Sequence, residues 1–199
     1  MIPQSEWHAA LTAVLHGVPL SHPKHPALAC VLVEFADVSE LRLIGSDGER
    51  ITVVCLTVEH GQPVNGTFQI PVIEARGMLD IFPPDAEARV TLCFMGNTLM
   101  VTNQLAVAGC EHAVCSTKYP EYRKVMHYKR CPPDPRWFNR QFMIDALACM
   151  DGLADTVGLH INGLVGPGYI DAVLRDGLEC ITSIRVGLAS VPGPVGVES

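Results

Sequence analysis

Lys118-Tyr119-Pro120-Glu121-Tyr122-Arg123-Lys124-Val125-Met126 is the stretch on which the reading of this 199-residue chain turns. It sets a proline between two tyrosines, follows them with two cations, and opens the chain's basic window. Lys118, Arg123, Lys124, Lys129, Arg130, Arg136 and Arg140 are 7 of the 14 Lys and Arg residues, and residues 118–140 hold only two acids, Glu121 and Asp134. The whole chain carries a net charge of −7, so everything outside this window is strongly acidic. Phosphate contacts need local positive charge, so any nucleic-acid contact is expected mainly from this window.

Outward from that stretch the chain is 48% hydrophobic and 18% charged, the composition of a globular protein. Its length suits one large domain or one and a half small ones. The eight cysteines (Cys30, Cys55, Cys93, Cys110, Cys115, Cys131, Cys149 and Cys180) are scattered, mostly inside apolar runs. The N-terminus has neither the basic nor the apolar region of a secretory signal, so reduced, buried cysteines in a cytoplasmic protein are expected. No apolar run reaches the ~18 residues of a membrane-spanning helix. Cys110-Glu111-His112-Ala113-Val114-Cys115 is the one tight Cys/His cluster. Its spacing fits no common zinc module and alternates like a strand, so neither a metal nor a cofactor is expected.

Trp7, Leu11, Val14 and Leu15 recur at helical spacing, with Ser5 as candidate cap and Gly17, Pro19 and Pro23 as terminators. Residues 29–35, 41–44 and 51–58 read as strands, the last two joined by a Ser46-Asp47-Gly48 turn. The order then recurs. A short strand at 67–70 leads through Pro71 into a helix bearing Ile73, Leu79 and Phe82, ended by Pro83-Pro84. Strands follow at 88–94, 98–102 and about 107–116, with Gly96-Asn97 turning between the first two. Past the basic window, Asn139 heads a helix with Phe142, Ala146, Leu147, Met150 and Leu153. Strands at 158–162, 169–174 and 178–186 follow. Three units of one pattern, a helix followed by three strands, predict a repeat architecture in an α+β fold.

Catalytic signatures are missing. No phosphate-binding glycine loop, Gly-x-Ser-x-Gly or His-Glu-x-x-His occurs. Gly163-Leu164-Val165-Gly166-Pro167-Gly168 precedes a strand instead of opening a helix. Asp145, Asp151 and Asp155 have no accompanying base or metal ligand. An enzyme is therefore not expected.

The segment Tyr119-Pro120-Glu121-Tyr122-Arg123-Lys124-Val125 resembles the Phe-Pro-Asp-Tyr-Arg-Arg-Val segment of the bacterial DNA polymerase III β subunit, the sliding clamp. Further stretches carry the likeness, Ile161-Asn162-Gly163 through Pro167 among them, which resembles the family's Leu-Asn-x-Pro-Leu-Ser-Pro strand and turn. Leu41-Arg42-Leu43-Ile44-Gly45-Ser46-Asp47-Gly48-Glu49-Arg50-Ile51 is similar to the family's Leu-Arg-Leu-Val-Ala-Thr-Asp-Gly-His-Arg-Leu. Ile70-Pro71 through Leu79 resembles its Val-Pro-Arg helix, and Phe138-Asn139 through Leu147 its Phe-Asn helix. The likeness covers most of residues 5–188.

This resemblance implies a shortened, divergent clamp with helices lining a ring and sheets outside. Residues 1–126 would form a complete two-unit domain like the family's middle domain. Residues 127–137 would form a linker, 138–188 half of a last domain, and 189–199 a flexible tail. The family's twelve-unit ring would need four such three-unit chains, the half domain being completed by a neighbour. Implied partners are double-stranded DNA without sequence preference, DNA polymerase and other proteins carrying clamp-binding peptides, and a clamp loader. Carried over by position, the peptide groove comprises Leu28, Ser46, Gly48, Glu49, Arg50, Ile51, Pro120, Val125, Thr182 and Ile184. Glu49 replaces the family's His, and Ile184-Arg185-Val186 replaces its Met-Pro-Met. DNA contacts are expected from Arg76, Arg123, Lys124, Arg136 and Arg140. A second class, an adaptor or decoy that binds clamp-binding peptides or a clamp without encircling DNA, is implied by the first helix, which has no Lys or Arg.

Overall fold

The computed structural model describes residues 1–22, 24–36, 38–48, 50–59, 67–112, 118–123, 137–138, 140–148, 158–161, 168–176, 179–188 and 190–191. The first unit runs β1 (Ile2–Pro3), α1 (Gln4–Leu15), β2 (Cys30–Phe35), β3 (Glu40–Ser46), β4 (Arg50–Thr57). The second runs β5 (Thr67–Pro71), α2 (Val72–Ile81), β6 (Arg89–Met95), β7 (Thr98–Thr102), β8 (Val107–Glu111). The third runs β9 (Trp137–Phe138), α3 (Arg140–Ala148), β10 (Gly158–Ile161), β11 (Gly168–Asp176), β12 (Glu179–Leu188), and β13 (Ser190–Val191) follows it. Gln4, Val72 and Arg140 open the helices, so 72 − 4 and 140 − 72 both give a repeat of 68 residues. Each unit also begins with a short strand that feeds its helix, an element too brief in β1 and β9 to leave a periodic signal.

Those leading strands tie the first two units together. β1 leaves its own unit to pair with β6, Ile2 facing Val90, while β5 pairs with β2, Ile70 facing Val31. The exchange is reciprocal. It makes one four-stranded sheet, β1-β6-β7-β8, and one seven-stranded sheet, β10-β11-β12-β4-β3-β2-β5, all antiparallel. The third unit joins the first through β12 against β4, so the seven-stranded sheet runs on from one unit into the next. β9 pairs with β13.

The exchange also explains how α1 begins. Ser5 does not cap it. The helix starts at Gln4 behind Pro3, with no side-chain cap. Its first free amides are taken up by the loop ahead of β6, Gln4 N donating to Ala88 O at 2.9 Å and Ser5 N to Asp85 O at 3.1 Å. The Gln4 amide secures the same junction, donating to Pro83 O and accepting from Asn103, both at 2.7 Å. Exposed first-turn donors need partners. Here β1 delivers them to backbone carbonyls, so no hydroxyl is needed.

One core lies between the sheets. α1 contributes Trp7, Leu11 and Val14, all fully buried, and α2 contributes Val72, Ala75 and Met78. Alternate strand residues face them: Val31, Val33, Leu41, Leu43, Val54 and Leu56 from one sheet, Val90, Leu99, Val101, Ala108 and Cys110 from the other. The period-2 alternation of half-buried strands puts those residues on the helix side. β3 passes close beneath the end of α1 at Gly45, where a Cβ would stand 2.4 Å from Val14 O and 2.8 Å from a Val18 methyl.

Candidate peptide-binding groove and basic residues

The same alternation builds a second, smaller cluster on the sheet face turned away from α1 and α2. Leu32, Ile44, Ile51 and Val53 come from β2, β3 and β4, with Cys55 against them. The 3-10 turn Pro26–Ala29 adds Ala27 and Leu28, and residues 118–123 bring Tyr119 and Tyr122. Buried phenols need partners for their polar ends. The Tyr119 hydroxyl donates to Ile44 O at 3.3 Å. The Tyr122 hydroxyl donates to one oxygen of Glu34, and Arg123 donates to the other. Glu34 is 8% exposed, so a carboxylate that would be expensive to bury alone is held from both sides. Burial, then the bond to Glu34, raises the Tyr122 phenol above its ordinary pKa, and burial raises Tyr119. Arg42, beside this group, pairs with Glu40 at 2.5 Å.

Five residues expected in the groove fall around this cluster. Leu28 and Ile51 are members of it, 1% and 8% exposed. Ser46 is buried opposite Ile51 in the β3–β4 hairpin, and its Oγ accepts the Gly48 amide at 3.1 Å. Gly48 has φ +93° and stands over Leu28, whose Cδ1 lies 3.6 Å from where a Cβ would be. Pro120 is exposed between the two tyrosines. The backbone of Arg50 pairs with Leu188. Thr182 and Ile184 face Leu56 and Val54 across the β12–β4 pair, whereas Ser183, Arg185 and Gly187 face Cys55, Val53 and Ile51. Glu49 and Val125 lie outside the described residues. Tyr119, Tyr122 and Glu34 were not anticipated as its fillers. The signal available in the sequence was two aromatics three apart in an otherwise polar, basic stretch.

Arg76 is exposed on α2, and Arg140 opens α3. Arg123, expected to contact DNA, pairs with Glu34 on the sheet face of the smaller cluster. The local density of charge in a sequence does not say which face of a sheet receives it. Lys124 and Arg136 lie outside the described residues. Along α1, α2 and α3 the acids Glu6, Glu74, Asp80 and Asp145 outnumber the bases Arg76 and Arg140.

Cys110 faces the main core from β8, and burial, helped by Glu74, pushes its thiol up to about 12. His112 Nδ1 accepts the Gln69 amide at 3.0 Å, and its ring stands edge-on to Phe68. Cys115 lies outside the described residues, and among the described residues no three metal-ligating side chains gather. Cys30 and Cys110 are buried and Cys55 half-buried, whereas Cys93 occupies an exposed position of β6 rather than a buried one. Among the described residues no helix is long and apolar enough to cross a membrane.

No family model and no curated protein matches the sequence. Solved structures do match the fold. The DNA polymerase III β chain of Streptococcus pneumoniae TIGR4 superposes with a TM-score of 0.73 at 13% identity, over 96% of this chain and 64% of that one. The sliding clamp of Pseudomonas aeruginosa bound to griselimycin gives 0.74 at 10% identity, over 96% and 64%. The β subunit of Thermotoga maritima gives 0.72 at 12% identity, over 97% and 65%. This chain thus spans a little under two thirds of the length of these proteins. Two units that exchange leading strands around a pair of helices, with a third continuing the outer sheet, make the sliding-clamp fold of the DNA polymerase III β subunits.

Proposed function

We propose that the chain is a DNA sliding clamp, a polymerase processivity factor that encircles duplex DNA and holds its partners through a peptide groove. The observation that carries this reading is the cluster on the outer face. It holds Leu28 and Ile51, with Ser46, Gly48 and Pro120 beside it, from three separate segments near the β12–β4 pair, where one unit meets the next. A peptide would set apolar side chains against Leu28 and Ile51, with Val125 as a further wall. Arg50 and backbone groups would hold its polar atoms, Thr182 and Ile184 would complete the walls, and Glu49 would tune the rim. Such a protein does no bond chemistry. Phosphates would be met by Arg76, which is exposed on α2, and by Lys124, Arg136 and Arg140, without reading sequence. Its partners would be double-stranded DNA, a polymerase or other protein bearing a clamp-binding peptide, and a clamp loader, in the cytoplasm.

A ring needs open sheet edges. β4 and β12 end their units and pair with each other; β8 ends the second unit, and among the described residues its outer edge is unpaired. Unpaired edges are templates for association. Four copies would supply the twelve units of a full ring. Salt-resistant retention on nicked circular DNA, lost when the circle is linearised, tests the reading. A protein that leaves circular and linear DNA at the same rate does not encircle it.

A specific observation favours a second reading. The helices carry four acids against two bases, a poor lining for a hole that holds DNA. An adaptor that binds clamp-binding peptides without encircling DNA would need the outer cluster alone. Peptide binding without topological retention on circles identifies it.

A further inference from the structure

In the first two units no leading strand stays at home. β1 covers the outer edge of β6, and β5 covers the outer edge of β2. The two helices meet where the units exchange. By the 68-residue repeat, β9 corresponds to β1 and β5, and β10 corresponds to β6 and β2. Yet β10 is the end strand of the seven-stranded sheet, and β9 is paired only with the two-residue β13 among the described residues.

The helices tell the same story. The eighth residue of each is leucine: Leu11 in α1, Leu79 in α2, Leu147 in α3. Leu11 is fully buried and Leu79 packs against the core, but Leu147 is 45% exposed. Ile144, one turn earlier, is 42% exposed. Among the described residues the third unit therefore leaves open, at the same positions, the strand edge and the helix face that the first two units close for each other.

We propose that two copies of this chain associate through their third units. Each lends its β9 to the outer edge of the other's β10, and the two α3 helices meet at Leu147 across a two-fold axis. The occupant is a second copy because the first two units already show what covers these positions: another unit of the same design, by reciprocal exchange. A two-fold axis lets one surface serve as both donor and acceptor. The β9–β13 pairing holds β9 until it is exchanged. This deepens the ring reading, since it names how a half domain is completed, but it rests on the fold and not on DNA binding.

Light scattering of the full-length chain, with hydrogen–deuterium exchange of residues 158–161, tests it. The wild type is expected at an even number of copies, with β10 amides protected. Leu147→Glu is expected to halve the mass and release that protection at least ten-fold. Val38→Glu, at an equally exposed site in the β2–β3 turn, is expected to do neither, and circular dichroism should be the same for all three. A monomeric wild type overturns both this pairing and the ring. A tetramer that Leu147→Glu leaves intact, with β10 amides exchanging freely, overturns the pairing and leaves the ring standing. A dimer that Leu147→Glu dissociates, but that is not retained on circular DNA, upholds the pairing and removes the clamp reading.

Discussion

The Tyr119 hydroxyl donates to the backbone carbonyl of Ile44, 3.3 Å away and 75 positions earlier in the chain. This bond fixes the segment 118–123 to the middle strand of the β2–β3–β4 face and closes the smaller apolar cluster. Tyr119→Phe should lower stability by about 1 kcal/mol, the net value of one buried hydrogen bond. Tyr119→Ala should cost about 3–5 kcal/mol, because it also empties the space of the ring. Urea unfolding of the two variants checks the split. Equal losses would mean that packing around the ring contributes nothing.

The Glu34 carboxylate holds Tyr122 and Arg123 unequally. Tyr122 is buried with it, whereas the Arg123 side chain is 54% exposed. Removing a partner from a buried charge leaves the desolvation unmet, at about 1–3 kcal/mol, while an exposed ion pair contributes about 0–1 kcal/mol. Tyr122→Phe should therefore destabilise more than Arg123→Ala, and only the second effect should shrink in high salt. Denaturation midpoints in low and high salt give the comparison; a larger loss from Arg123→Ala would reverse the assignment.

Cys110, Tyr119 and Tyr122 all bind their protons more tightly in the fold than in the unfolded chain, chiefly through burial. For groups with raised pKa the stability is fully present below the unfolded value and drains as pH rises through the folded one. The thiol starts from 9.0 and the phenols from 10.0. Stability should thus be level up to about pH 9 and then fall by about 1.4 kcal/mol per pH unit for each group in its window. Cys110→Ala should flatten the decline between pH 9 and 10, where the thiol acts alone. Identical pH profiles for the two proteins would show that Cys110 titrates normally.

Much of this architecture was written in the order of the residues, and the parts that were not have physical reasons. Trp7, Leu11 and Val14 mark α1 by spacing, and the alternation of Val54 and Leu56 with Ile51, Val53 and Cys55 marks a strand with two buried faces. Two-residue strands have no period, so β1, β9 and β13 were invisible, and with them the exchange that binds the units. Ser5 read as a cap because caps are local, while its helix is capped by carbonyls 80 and 84 residues away. Leu28, Ser46, Gly48 and Ile51, singled out by likeness to a family, do come close together in the fold. The sheet face on which Tyr119, Tyr122 and Arg123 settle was not legible, because facing is decided by contacts between distant segments.

At Gly45 β3 runs close against the end of α1. Gly45→Ala would place a methyl 2.4 Å from Val14 O, a backbone atom that cannot swing aside. Overpacking of this kind costs about 1–3 kcal/mol, and the upper end is expected because helix and strand must separate. Gly77→Ala, on α2 with nothing within 4 Å of the added methyl, should instead gain up to about 1 kcal/mol from helix propensity. Thermal melts of the pair should move in opposite directions. Shifts of the same sign would mean that α1 and β3 do not meet as closely as this.

Arg76 and Arg123 lie on opposite sides of the fold, one exposed on α2 and the other paired with Glu34 on the outer face. If duplex DNA passes on the helix side, removing a cation that neutralises one phosphate should reduce the salt dependence of binding by nearly one counterion. Arg76→Ala should then lower the slope of log affinity against log salt by about 1, equally for all sequences, and Arg123→Ala should leave it unchanged. The two predictions use the same titration on the same DNA, so stability changes can be controlled with one melt each. A slope reduced by Arg123→Ala and not by Arg76→Ala would put the DNA on the outer face, beside the tyrosine cluster. The groove and the nucleic acid would then compete for one surface, and the peptide-docking reading would have to give way.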